Sequence, residues 1–413
     1  MAGAFSVTFL GTSSGGGPSE SRNCSSLVCD VVRDGSLWMV DCAEGTIRQF
    51  AFQSRQNALK PSKVTKIFIT HMHADHIMGI VPFLRSTLFP PPAGDSSKKP
   101  IVKQPRIEIY GPAGIRNFVR QIMKMTLTRT SDTYVVHELV TVEDTRTPCF
   151  VADDATNNVL DVEVMHCNET PGLDILCSPD GFWEGLTRAR GAFGDVFVDA
   201  GPISHRDPCI GYIIREASGP QRKLVILGDT HDPSSIIPLC VSPSPSLLIH
   251  EATDAHIPKH VDYNQKRTPE VVLEKVLARG HSIPTMAGDF AKAVGAERLV
   301  LNHISPRFPA PRNSRDHRSS VMSEIERQAT QAWGSGTSAM AAYDFMSVII
   351  PATMTRTTAA GVIMASSQSH SRSTSGPSGE VTLELQHADL VEGFLYINNR
   401  SHSHNNKNKK RRL

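Results

Sequence analysis

The strongest constraint on this chain is a run of metal-ligand side chains, HMHADH, at residues 71–76. The run follows KIFIT, whose apolar and β-branched residues predict a buried strand. His71 and His73 stand two residues apart at the end of that strand, so their side chains share one face. Asp75 and His76 follow at the predicted start of a helix. Imidazole and carboxylate groups coordinate zinc at neutral pH, so this cluster predicts a zinc site.

One motif supplies too few ligands for two metal ions, so further ligands must come from later in the chain. Three candidates stand at strand ends: His205 precedes IGYIIR, Asp229 follows VIL, and His303 follows LVLN. A single histidine or aspartate at a strand end is more often satisfied by the backbone. Three recurrences at equivalent positions favour metal ligands instead.

Short apolar strands and amphipathic helices occur in both halves of the chain. This order predicts an α/β fold with two packed mixed sheets and helices outside, an αββα sandwich. The predicted strands lie at 5–10, 66–70, 210–215, 223–228, 246–250 and 298–302, and the predicted helices at 44–53, 75–89, 268–280 and 285–296.

The composition divides the chain into a folded part and a polar tail. We expect one folded domain over 1–355, with an acidic insertion at about 126–200. Residues 356–413 contain a Ser-rich linker with too few apolar residues to fold alone, and they end in NNKNKKRRL. That basic end is either a solvated terminus or a patch for nuclear import or RNA contact.

Cysteine usage and hydropathy indicate the compartment. The 8 cysteines are dispersed without a CxxC pair, which is typical of reduced thiols in an intracellular protein. No secretory signal and no apolar run of membrane-spanning length is apparent, so we expect a cytoplasmic or nuclear protein without a membrane partner. The formal net charge of +2 excludes a strong global field, and any nucleic-acid contact must depend on local patches.

Several motifs together resemble the tRNase Z (ribonuclease Z) family, short-form-like members of the metallo-β-lactamase superfamily. HxHxDH alone marks only the superfamily, whereas HEAT (250–253), RGHS (279–282) and LNHISPRF (301–308) are more specific. The other motifs that carry the resemblance are FLGTSSGGGPSESRN, DCAEGTIRQF, HRDPCIGY, LGDT and YDFMSVIIP. The resemblance covers about 5–350 and implies the metallo-β-lactamase αββα sandwich and a zinc endoribonuclease that forms the 3′ end of tRNA.

The resemblance also implies roles for individual residues. One Zn²⁺ would be held by His71, His73 and His205, the second by Asp75, His76 and His303, with Asp229 bridging the two. Asp75 would also orient the nucleophile, and Glu251 with His281 would deliver a proton to the leaving oxygen. Asp41 would support the metal histidines from behind, and Arg22 and Asn23 would bind substrate. The implied partners are precursor tRNA and a second copy of the chain in a homodimer.

Two departures from the family pattern bear on substrate binding. The family's PxKxRN loop appears here as Pro18 to Asn23 with Glu20 in place of the lysine. The arm that grips tRNA commonly emerges between the HRDPCIGY-type and GDT motifs, where this chain has only REASGPQRK (215–223). The remaining basic stretches are Lys98, Lys99, Lys103, Arg312, Arg315, Arg318 and the tail.

These departures leave three functions open. The first is an endoribonuclease that generates tRNA 3′ ends. The second is a phosphodiesterase of the same site chemistry that acts on small or non-tRNA phosphodiesters. The third is a non-catalytic RNA-binding paralogue, against which the complete set of predicted ligands argues.

Overall fold

The computed structural model of the chain describes residues 3–53, 59–88, 104–151, 161–313, 315–352, 356–357 and 363–364. The predicted tail, from 365 onward, and the lysines at 98–103 lie outside these residues. The strands are β1 (Phe5–Gly11), β2 (Ser26–Asp30), β3 (Leu37–Val40), β4 (Val64–Phe68), β5 (Ile107–Pro112), β6 (Tyr134–Val140), β7 (Glu169–Thr170), β8 (Asp174–Leu176), β9 (Trp183–Gly191), β10 (Gly194–Ile203), β11 (Cys209–Glu216), β12 (Lys223–Ile226), β13 (Leu247–Glu251), β14 (Leu299–Asn302), β15 (Met340–Ala341), β16 (Ser347–Ile350), β17 (Arg356–Thr357) and β18 (Ile363–Met364). The helices are α1 (Thr46–Phe52), α2 (Ala74–Ile77), α3 (Ile80–Thr87), α4 (Ile115–Met125), α5 (Ile237–Cys240), α6 (Pro269–Leu277), α7 (Pro284–Ala293) and α8 (His317–Trp333).

Two large sheets carry the fold. Within the described residues, the first has nine strands in the order β16-β1-β2-β3-β4-β5-β6-β7, with β8 also paired to β6. The second has seven strands in the order β15-β14-β13-β12-β11-β10-β9. Both mix antiparallel hairpins with parallel pairs such as β3–β4 and β12–β13–β14. The small β17–β18 pair lies just beyond the predicted boundary at 355, which remains a prediction.

The hydrophobic core has three layers, as an αββα sandwich requires. The central layer joins the inner faces of both sheets, where Phe68 packs against Tyr212 with ring centroids 5.4 Å apart. One outer layer packs α3 and α4 on the first sheet, and the other packs α7 and α8 on the second. The layers arise because successive side chains of a strand point to opposite faces of the sheet. In β11, Tyr212 and Ile214 belong to the central layer, whereas Ile213 between them belongs to the outer layer. The predicted fold class is confirmed.

The helix predicted at 75–89 is instead two helices, α2 and α3, separated at Met78 and Gly79. Gly79 lies against the backbone of the loop that follows β3, and its N–H donates to the Cys42 carbonyl at 2.8 Å. A Cβ at this position would come within 1.9 Å of the Ala43 carbonyl oxygen. Only glycine permits this approach, which fixes the helix start that carries Asp75 and His76.

The segment at about 126–200 contributes strands to both sheets, and its status as an insertion stays a prediction. Strand β6 is part of the first sheet, and β9 and β10 are part of the second. Two carboxylates of this segment pair with buried cations on α4. Arg120 is fully buried and forms an ion pair with Glu169 at 2.7 Å, while Arg116 pairs with Asp174 at 2.7 Å.

Candidate metal centre

The predicted ligands converge where strands of both sheets end. Strand β4 leads into His71, β12 leads into Asp229, and β14 leads directly into His303. The backbone of His303 has a φ of 53°, and that of Asp41, which follows β3, has a φ of 57°. Few non-glycine residues adopt such angles, and aspartate and histidine do so more readily than most.

The first group of donor atoms comprises three histidines and one aspartate. His71 Nε2 lies 2.9 Å from His73 Nδ1 and 3.6 Å from Asp229 Oδ2. His205 joins them, and one ligand atom from each of the four lies within 4.8 Å of the others. His205 donates from Nδ1 to the Gly280 carbonyl at 2.6 Å, which leaves its Nε2 directed elsewhere.

The second group comprises Asp75, His76 and His303, again with donor atoms within 4.8 Å of one another. His303 Nε2 lies 3.3 Å from both Asp75 Oδ2 and His76 Nε2. Asp229 adjoins this group too, since its Oδ2 is 3.6 Å from His76 Nε2 and its Oδ1 is 3.3 Å from His303 Nδ1. Asp229 therefore stands between the two groups, as a bridging ligand would.

These donors fit a cationic centre better than a protein hydrogen-bond network. His205 Nε2 is buried without a hydrogen-bond partner in the described part of the chain, which is costly unless a ligand satisfies it. Burial and neighbouring imidazoles hold the pKa of His71 well below its ordinary value, so the ring is neutral and its lone pair available. Burial would raise the pKa of Asp229, but the surrounding histidines lower it well below the usual range, so the carboxylate is ionised.

His281 and Glu251 form a hydrogen-bonded pair beside these groups. The His281 Nδ1 lies 3.0 Å from Glu251 Oε1, and Glu251 also accepts from the Thr230 N–H at 2.7 Å. Burial opposes protonation of His281, but the Glu251 carboxylate outweighs it and raises the pKa of the imidazole. His281 Nδ1 is also 3.8 Å from Asp229 Oδ2, and it can be grouped with Asp229 and His303 as a third set of donors.

Three polar groups behind the donors orient the histidines. Asp41 accepts from His76 Nδ1 at 2.6 Å, in the place where the sequence predicted a supporting carboxylate. Thr253 Oγ1 lies 2.9 Å from His303 Nδ1. Asp207 Oδ2 lies 2.7 Å from His73 Nε2, on the opposite side of the ring from Nδ1. Such partners fix the tautomer and ring orientation of a ligating histidine.

The sequence interpretation missed Asp207 and Thr253. Asp207 stands two residues after His205 in HRDPCIGY, and Thr253 stands two residues after Glu251 in HEAT. Both motifs had been singled out for one residue each. In each motif, the polar side chain two residues after the predicted site residue was the sequence feature that could have revealed these contacts.

Arg22 and Asn23 do not occupy the exposed positions expected of substrate-binding residues. Arg22 is 2% exposed, and its guanidinium donates to Thr12 Oγ1 at 2.8 Å and to the Ala342 carbonyl at 2.6 Å. Asn23 is buried too, and it donates to the Glu44 carbonyl at 2.9 Å. Both side chains support the loop through these hydrogen bonds, and their role in substrate binding stays a prediction.

The position of the expected arm holds a tight hairpin instead. Strands β11 and β12 are antiparallel neighbours, and the Glu216 N–H donates to the Arg222 carbonyl at 3.0 Å. Arg222 Nη2 also pairs with Glu216 Oε1 at 2.6 Å and closes the turn. No tRNA-gripping arm extends from this point of the described chain, as the short REASGPQRK linker predicted.

The fold and the donor set define the class of protein. Residues 22–151 match the family model described as the metallo-beta-lactamase superfamily. That segment contains the HMHADH run and its supporting Asp41. The chain is thus a metallohydrolase of the metallo-β-lactamase fold with a metal site.

Curated relatives place the chain within that class. It is 33% identical to a ribonuclease Z of Streptococcus sanguinis over 74% of this chain and 90% of the relative. It is 30% identical to zinc phosphodiesterase ELAC protein 1 of Bos taurus, over 84% and 98% of the two chains. The crystal structure of human tRNase Z, short form, aligns with a TM-score of 0.55 at 31% identity, covering 84% of this chain and 99% of that chain. The chain belongs to the ribonuclease Z family, and the predicted resemblance is confirmed.

Proposed function

We propose that this protein is a zinc-dependent endoribonuclease that hydrolyses a phosphodiester of precursor tRNA to generate its 3′ end. Membership of the ribonuclease Z family supports the reaction. The observation that carries the proposal is that two donor groups, with Asp229 between them, lie beside the His281–Glu251 pair. A non-catalytic paralogue is disfavoured, because every predicted donor and the pair are present together.

The donor set fits two Zn²⁺ ions. We assign His71, His73 and His205 to one ion, Asp75, His76 and His303 to the other, and Asp229 to both. Bound in this way, the ions would supply Lewis acids that polarise a phosphoryl oxygen and acidify water. The protein's own contribution is a preorganised set of imidazole and carboxylate donors, which includes the neutral His71 and the ionised Asp229.

The protein side chains handle the protons of the reaction. Asp75, whose Oδ2 accepts from the Gly15 N–H at 2.9 Å, is placed to orient the attacking water. His281 is placed to donate a proton to the leaving 3′ oxygen while Glu251 holds its ring. Water then adds to phosphorus as the bond to the 3′ oxygen breaks. The expected products are a tRNA with a 3′ hydroxyl and a trailer with a 5′ phosphate.

A second candidate substrate class follows from the tight β11–β12 hairpin. Without an arm at this position, small phosphodiesters could be the better substrates. A paired assay separates the two: kcat/KM for a 3′-extended precursor tRNA against that for bis(p-nitrophenyl) phosphate. Efficient, site-specific cutting of the tRNA supports the first proposal, whereas turnover of the small ester alone would replace it.

Two further expectations belong to this proposal. A homodimer, which the family resemblance implies, would appear as twice the chain mass in light scattering after size-exclusion chromatography. None of the helices in the described ranges is long and apolar enough to cross a bilayer. The choice between cytoplasm and nucleus depends on the basic tail and stays a prediction.

A further inference from the structure

Glu20, the residue that replaces the family's lysine, is held by two arginines. Its carboxylate accepts from the Arg312 guanidinium through one oxygen and from Arg318 Nη2, at 3.3 Å, through the other. Arg312 precedes α8 and Arg318 lies in its first turn. The side chains of Glu20 and Arg312 are 56% and 71% exposed, so the cluster faces solvent.

The loop that carries Glu20 begins at the metal centre. The Ser14 N–H donates to the Ile304 carbonyl at 3.0 Å, next to His303, and the Gly15 N–H donates to Asp75 at 2.9 Å. Glu20 stands five positions after Gly15, and an extended chain of five steps spans roughly 18 Å at most. The arginines therefore lie within a short stretch of nucleic-acid strand from the proposed cut.

A cavity adjoins one of these arginines, Arg318. It has a volume of about 480 Å³, and its lining includes Arg307, Phe308 and Arg318. Arg307 is exposed and lies four residues after His303. The guanidinium groups of Arg307 and Arg318 give this cavity positive charge that suits the phosphates of a nucleic-acid strand.

We propose, on the basis of the proposed function, that Arg312 and Arg318 bind a backbone phosphate of the RNA near the cut, and that Glu20 occupies this position in the free protein. Two guanidinium groups on the two oxygens of one carboxylate form the arrangement that also grips a phosphodiester. An exposed ion pair is weak, so a phosphate can displace Glu20. In the family, the loop lysine supplies a positive charge. In this chain, Arg312 and Arg318 at the start of α8 would supply it instead.

The proposal predicts opposite effects for the two sides of the cluster. Removing the negative charge with Glu20→Gln frees the arginines, so RNA should bind several-fold more tightly. The double variant Arg312→Ala/Arg318→Ala should bind more weakly, and the slope of log affinity against log salt should fall by roughly 0.7 to 0.9 for one lost phosphate contact. If the cluster only braced the loop, both variants would break the same brace and shift binding in the same direction.

The experiment uses the full-length metal-loaded protein and a fluorescent 3′-extended tRNA, with binding read by stopped-flow anisotropy before turnover. Arg190→Ala is the matched control, because Arg190 is 81% exposed and pairs with Asp195 at 3.4 Å on the β9–β10 hairpin. Melting curves of all variants check that the fold is intact. Opposite shifts in RNA binding support the proposal.

Shifts in the same direction, or none beyond the Arg190→Ala control, overturn it. The same holds if the variants leave RNA binding unchanged but alter binding of a poly-glutamate peptide, since the arginines would then recognise an acidic protein. Cleavage of the tRNA by the unmodified protein is scored separately. Opposite shifts in RNA binding without cleavage of the tRNA would support the phosphate contact but contradict the proposed reaction.

Discussion

The metal centre and the loop at 18–23 were both singled out from sequence motifs, yet they differ in how well a motif reveals a role. At the metal centre, donor atoms from distant strand ends lie within 4.8 Å of one another in each group. In the loop, Arg22 points into the protein and Glu20 is paired with two arginines from α8. A metal site requires particular side chains at one point, whereas a binding loop depends on which side chains face solvent.

The largest expected effect on activity comes from substitutions at the metal centre rather than in the loop. Asp229→Ala or His73→Ala should abolish phosphodiester hydrolysis, because each removes a ligand from the centre. Bound zinc should fall below the expected two ions per chain when measured by plasma mass spectrometry. Asp180→Ala, an exposed aspartate, is the control. Full activity of the Asp229→Ala variant would show that the centre is wrongly assigned.

The second-largest expected effect comes from substitutions in the His281–Glu251 pair beside the metal donors. His281→Ala and Glu251→Ala should each slow precursor cleavage by about a hundredfold or more, as expected for loss of a general acid. The double variant should be little slower than either single one, since the two residues act as a unit. His260→Ala, an exposed histidine, serves as the control. Loss of metal from His281→Ala would make His281 a ligand, in the third donor grouping.

Substitution of Asp207 should have a smaller effect, which is on zinc binding rather than on proton transfer. Asp207→Ala should weaken zinc retention by about tenfold, because the carboxylate orients His73 for coordination through Nδ1. Asp207→Asn should restore part of the loss, since its amide oxygen can still accept from Nε2. Competition with a chromogenic chelator measures the affinity. Equal zinc affinity in all three proteins would show that this contact does not position the ligand.

In the loop, Arg22→Ala should change stability rather than substrate affinity. The buried carbonyl of Ala342 and hydroxyl of Thr12 would lose their donor, at a cost of about 2 kcal/mol. The melting temperature should fall by a few degrees while KM for the small phosphodiester stays near that of the unmodified protein. A large rise in KM with unchanged melting temperature would support substrate binding by Arg22.

The smallest effect concerns the predicted tail. Deleting residues 365–413 should leave metal content intact and raise KM for precursor tRNA modestly, with a flatter salt dependence if the basic end contacts RNA. Hydrolysis of the small phosphodiester is the internal control. An unchanged KM at every salt concentration would favour an import signal or an inert end.

Much of the fold and the metal centre could be predicted because short-range patterns carry them. A buried strand ending in HMHADH places its ligands by strand and helix geometry alone, and the same holds for His303 after β14. The break at Gly79 could not be predicted, since it depends on a contact with Ala43 from another strand connection. The burial of Arg22 and the integration of the 126–200 segment depend likewise on partners distant in sequence, such as Ala342 and Arg120.

The chemistry of the cut ends tests the central claim most directly. Purified protein is incubated with a 3′-extended precursor tRNA, with and without a chelator, and both new termini are analysed by mass spectrometry. Hydrolysis by water with proton donation from His281 predicts a 3′ hydroxyl on the tRNA and a 5′ phosphate on the trailer, formed only without the chelator. A 2′,3′-cyclic phosphate on the tRNA, or cutting that persists after metal removal, would contradict the account.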